Sequence, residues 1–104
     1  MTHLEQTFDR SVPPEGLIRP LQALWWLRKG GFQLGPEWEA AHNICQEREG
    51  DPDYDIVHAL AHWIEGDRAN SEYWYRRAGS SRARDFETEW RRISGLLCRP
   101  AQES

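Results

Sequence analysis

A glycine–aspartate pair, Gly66-Asp67, lies between two helix-forming segments and constrains this chain more than any other feature. Upstream, Asp51-Pro52-Asp53 carries a helix start: Asp51 suits the cap, proline fits the first turn, and Asp53 and Asp55 complement the positive helix end. Downstream, Asp67 can cap a second helix, with Arg76 and Arg77 in its last turn and Gly79 as its stop. The stretch from His58 through Gly66 to Gly79 therefore reads as a helical hairpin with a tight turn. Val57, Leu60, Ala61 and Ile64 predict one apolar stripe on its first helix.

The remaining punctuation predicts three more helices. One begins near Pro20, places Leu21, Leu24 and Trp25 on one face, and stops at Gly30-Gly31. Phe32 and Leu34, in the loop that follows, are expected to tuck against the core. Another starts at Pro36, buries Trp38, Ala41, His42 and Cys45 at helical spacing, and ends at Gly50. The last is expected to be capped by Ser80 or Ser81, to carry Phe86, Trp90, Ile93 and Leu97 as its stripe, and to stop at Pro100. Residues 1–16, with Pro13-Pro14, form an extended or disordered lead-in from which Phe8 can dock. Residues 17–99 form one helical domain and 100–104 a tail.

Only 38% of the chain is apolar, so six tryptophans must supply much of the buried area. No apolar run is long enough for a membrane span, and the N-terminus lacks the pattern of a signal peptide. The net charge of −4 argues against nucleic acid and anionic membrane as partners. Arg76, Arg77, Arg82, Arg84, Arg91 and Arg92 are interleaved with Asp85, Glu87 and Glu89, which reads as a solvated, salt-bridged helix face. Cys45 and Cys98 match no metal-binding spacing, and a reduced, cytoplasmic setting is the expectation.

An internal repeat follows from the helix placement. Ala23-Leu24 and Ala59-Leu60, Gly30 and Gly66, and Trp38 and Trp74 are each about 36 positions apart, a period typical of helical-hairpin repeats. Leu21-Gln-Ala-Leu-Trp-Trp26, Trp38-Glu-Ala-Ala-His-Asn-Ile-Cys-Gln46, and His58-Ala-Leu-Ala-His-Trp-Ile-Glu-Gly-Asp67 with Tyr73-Trp-Tyr-Arg-Arg-Ala-Gly79 resemble an uncharacterised family of small helical, mostly bacterial proteins. The last two segments also resemble tetratricopeptide and Sel1-like repeats, and that resemblance implies a protein-interaction scaffold. Two departures stand out: Gly31–Glu37 is longer than the family's usual turn, and Ser71 replaces an expected alanine.

His58 and His62 are four residues apart and Glu65 follows one turn later, so all three project from one side of a helix. His42 lies on the inward stripe of the preceding helix. Three arrangements stand open. The histidines can belong to a buried hydrogen-bond network with Glu65, Asn70, Tyr73, Tyr75 and Arg77. They can line a ligand pocket walled by rings from Trp25, Trp26, Trp38, Trp63 and Trp74. Or His42, His58, His62 and Glu65 can hold zinc or iron, although neither the zincin nor the di-iron helical motif is present. No catalytic set is evident. The function expected is a non-enzymatic binding module that needs no cofactor and contacts a protein or small molecule, with ligand-binding candidates His42, His58, His62, Glu65, Asn70, Tyr73, Trp74, Tyr75 and Arg77. The alternative is a metal-dependent protein or enzyme built on the histidines. His58 is expected to be structural and His62 accessible.

Overall fold

The structure, a computed structural model, describes residues 7–98. Among them the chain is all-α, with five helices: α1 Arg19–Lys29, α2 Pro36–Cys45, α3 Pro52–Glu65, α4 Arg68–Ala78 and α5 Phe86–Leu97. Pairs α1/α2 and α3/α4 pack as two hairpins, and α5 closes against α1 and α3. The stop expected at Pro100 lies outside the described residues.

The punctuation around α3 works as its chemistry requires. The Asp51 side chain accepts from the Asp53 amide, and Pro52 opens the helix. Gly66 ends it at φ 86°, a left-handed conformation in which the Gly66 and Asp67 amides return to the last turn. Asp67 then caps α4 through the Asn70 amide. The stripe expected on α3 is too narrow, however. Every residue from Asp55 to His62 is buried, because this helix touches all four others and has no solvent face there.

Three boundaries and one loop residue differ from expectation. The helix at α2 stops at Cys45, and Gln46–Arg48 tighten into a 3-10 turn before Gly50. Leu34 is exposed, whereas Phe32 packs on Phe86. Gly30 is not left-handed; Gly31 is, at φ 74°, while Gly30 lets α2 approach so closely that a β-carbon there would sit 2.7 Å from Glu37 Cβ. The cap of α5 is Asp85, not Ser80 or Ser81. Those serines lie in a loop tied down from α5: the Arg92 guanidinium donates to Ser80 Oγ and the Ser81 carbonyl.

The arginine-rich C-terminal face is mostly salt-bridged, with Arg91 and Arg28 on Glu87 and Arg84 near Asp85. Glu89 is the exception. Its carboxylate is completely buried and accepts from Tyr75 Oη, the Ala83 amide and two Arg92 nitrogens. The described part of the lead-in, from residue 7, also docks, since Phe8 packs on Trp25 and Trp90 and Thr7 Oγ1 accepts from the Trp25 indole. The Trp38 and Trp90 indoles donate to the Ala61 and Leu24 carbonyls. No helix among the described residues is long and apolar enough to cross a membrane.

Candidate functional site

Residues four apart on a helix stack one above the other. Trp38 and His42 do so on α2, with centroids 4.8 Å apart and planes within 11°. His58 and His62 do so on α3, 4.7 Å apart and within 28°. Packing α2 on α3 sets these two columns edge to face: His42 lies 4.9 Å from His58 and 5.2 Å from His62 between centroids. From α4, Trp74 covers the remaining face of His58 at 4.2 Å. One ring nitrogen from each histidine lies within 4.8 Å of one from each of the others.

The three histidines differ in environment. His58 is 2% exposed, and neither of its ring nitrogens has a hydrogen-bond partner. Burial, then the charges that His62 and His42 would carry, push its pKa down to about 3, so the ring is neutral. His42 is half-buried and lowered by the same influences, burial first and then His62. His62 is buried but places Nδ1 2.7 Å from Glu65 Oε1. With the carboxylate accepting, Nδ1 carries the proton, and in the neutral tautomer Nε2 is left as the lone-pair nitrogen.

The residues proposed from the sequence therefore separate. His42, His58, His62, Glu65 and Trp74 come together. Asn70 donates to Asp67 at the α4 cap. Tyr73 accepts from Arg77, and the Arg77 guanidinium lies over the Tyr73 and Trp74 rings, 5.4 Å from the latter. Tyr75 points to Glu89 in α5. None of these four hydrogen-bonds to a histidine, so the network drawn from nearness in sequence is corrected to one bond, His62 to Glu65. Trp38 and Trp74 wall the cluster, whereas Trp25 packs on Phe8 and Trp26, and Trp63 meets Phe86 edge to face beneath the Arg82 guanidinium. The serine at 71 fits its close contact, with Oγ donating to the Ala59 carbonyl at 2.9 Å.

Two other places hold less chemistry. A surface cleft of about 370 Å³ beside Gly66 is lined by Trp63, Arg68, Ser71, Glu72 and Arg82, without a histidine. Cys45 is fully buried and its thiol is pushed up by burial, which makes it a poor nucleophile. The arrangement at the histidines is suited to donating nitrogen lone pairs to an electrophilic ligand. Rings this close leave no room among them for an organic molecule. Comparison with protein-family models, with curated proteins and with solved structures gives no match to this chain, and the site rests on its own geometry.

Proposed function

We propose that this chain is a small, non-enzymatic binding module whose centre is the histidine cluster between α2, α3 and α4. The observation that carries this reading is His58, an enclosed polar ring with both nitrogens unpartnered. Such a group weakens a fold by about 1–3 kcal/mol, and concessions of this kind concentrate where function outweighs stability. Half-buried His42 gives the cluster its approach from solvent. Two groups with nucleophilic chemistry are otherwise engaged: the Cys45 thiol is buried, and the Tyr75 hydroxyl is raised by burial and by its bond to Glu89.

The frame supports an interaction scaffold of tetratricopeptide or Sel1 type, in line with the resemblance to small bacterial helical proteins. Ala23 and Ala59, and Leu24 and Leu60, are buried at matching positions of α1 and α3. Trp38 on α2 and Trp74 on α4 each stack on a histidine, His42 of the same helix and His58 of α3 respectively. A protein or small-molecule partner at the α2–α4 surface follows by analogy of fold. The unpaired thiols of Cys45 and Cys98 suit a reducing cytoplasm. A metal-dependent function is the second reading, favoured by the convergence of three ring nitrogens.

Nitrogen-15 spectra of the imidazoles, recorded on the full chain in chelating buffer, test the proposal. The expected result is His62 protonated on Nδ1 against Glu65, and a neutral His58 with no ring proton bonded to a protein acceptor. A His58 proton protected in a bond to a main-chain carbonyl would make the cluster a packing device and remove the proposal.

A further inference from the structure

We propose that His42, His58 and His62 form a three-nitrogen site for a borderline divalent transition-metal ion, zinc in the first instance, with Glu65 as the outer carboxylate that orients His62. The proposal rests on the histidine cluster being the binding centre and names the ligand class it takes.

The donor set selects the ion. Three imidazoles and no thiolate suit zinc and its neighbours, whereas calcium and magnesium require oxygen ligands. A metal ligand must present a lone pair, and a buried, neutral ring with two unpartnered nitrogens does so without first breaking a hydrogen bond. Anions are disfavoured at the same place: among the described residues no Lys or Arg hydrogen-bonds to the three rings, and Arg77 lies over Tyr73 and Trp74 instead.

The geometry is close to what coordination requires. Zinc–nitrogen bonds of about 2.0–2.1 Å in a tetrahedron set the nitrogens about 3.4 Å apart. The three nitrogens already lie within 4.8 Å of one another, so small ring rotations bring them to that spacing. Trp38 against His42 and Trp74 against His58 hold two rings in plane. Glu65 holds the third by its 2.7 Å bond to Nδ1, directing Nε2 toward the ion. This carboxylate–histidine pair is the usual outer support of a metal-bound imidazole. Linear metal motifs miss the site because its ligands come from two helices: the i, i+4 pair lies on α3 and the third histidine on α2. The histidine set supplies three ligands, so a fourth donor comes from solvent or a bound partner.

The test is calorimetric titration of zinc chloride into the full chain, stripped with chelator and dialysed, alongside nitrogen-15 imidazole spectra and the visible spectrum of a cobalt(II) substitute. The expected result is one ion per chain with a dissociation constant of about 1 µM or tighter, and zinc-dependent shifts at His42, His58 and His62 together. His42→Gln, a half-buried position whose replacement leaves the core intact, should weaken binding at least tenfold. Glu65→Gln should weaken it about tenfold or more. Absence of saturable binding below about 100 µM, a His42→Gln loss smaller than tenfold, or unmoved wild-type imidazole signals would overturn the proposal. Zinc binding absent while His58 still shows no bonded ring proton removes the ion and leaves the binding centre. A bonded His58 proton removes both.

Discussion

Two polar side chains are buried to the same depth in this molecule and treated in opposite ways. Glu89 is wholly enclosed, and its carboxylate accepts four hydrogen bonds from Tyr75, Ala83 and Arg92. His58 is 2% exposed and has none. Burial alone therefore says little about the role of a polar group; the account of its partners does. At Glu89 the partners come from α4, α5 and the loop between them, so the residue fixes how those elements meet. At His58 the neighbours are aromatic rings and two more histidines, which position the group without satisfying it.

Glu89→Leu offers the largest contrast. It strands the Tyr75 hydroxyl and the Ala83 amide and leaves Arg92 without its buried partner, for an expected loss of about 3 kcal/mol in urea denaturation. A loss below about 1 kcal/mol would mean that the satisfied centre is dispensable and the comparison void.

Protonation separates the two centres by pH. In metal-free protein His58 titrates at about 3, lowered by burial and then by His62 on α3 and His42 on α2, while Trp74 from α4 brings no charge. The unfolded chain takes up this proton first, so the His58 contribution is complete above about 6.5 and is lost progressively as pH falls toward 3. Glu89 is also lowered: burial opposes ionisation, but bonds from Arg92, Tyr75 and Ala83 outweigh it. Its contribution is present above about 4.5 and lost as pH falls below that value. Urea midpoints should therefore begin to fall below about pH 6.5, and His58→Leu should reduce that first decline, leaving the share owed to His42 and the later carboxylate step. An unchanged profile in the variant would show that His58 takes up its proton alike in the folded and unfolded chains, so that folding does not shift it.

Tyr75→Phe is milder. Glu89 keeps its bonds from Ala83 and Arg92, so the loss should be about 1.5 kcal/mol, read as a drop of several degrees in melting temperature. A larger loss would indicate that the four bonds act as one unit.

How much of this was legible beforehand varies along the chain. Caps that depend on immediate neighbours could be read: Asp51 with Pro52, Gly66 with Asp67, and Gly79. The i, i+4 geometry of His58 and His62 could also be read, as could the inward face that carries His42. The Asp85 cap could not, because its position depends on a loop held by Glu89 and Arg92, a contact between elements. For the same reason Glu89 looked like one more charge on a solvated face. The partners drawn for the histidines from α4 failed for a simple rotational reason. Successive helical residues point about 100° apart, so Trp74 faces His58 while Tyr75 faces α5 and Tyr73 lies outward beside Arg77.

The smallest expected effect tests the central claim most directly. Leucine approximates the volume of histidine and removes both unpartnered nitrogens, at the expense of some stacking on Trp74. If His58 is retained for binding, metal-free His58→Leu should unfold in urea at the same concentration as wild type or a higher one, since removing a buried unsatisfied group is neutral or stabilising. A loss of about 2 kcal/mol or more, approaching that of Glu89→Leu, would show that the ring is structural and would contradict the account.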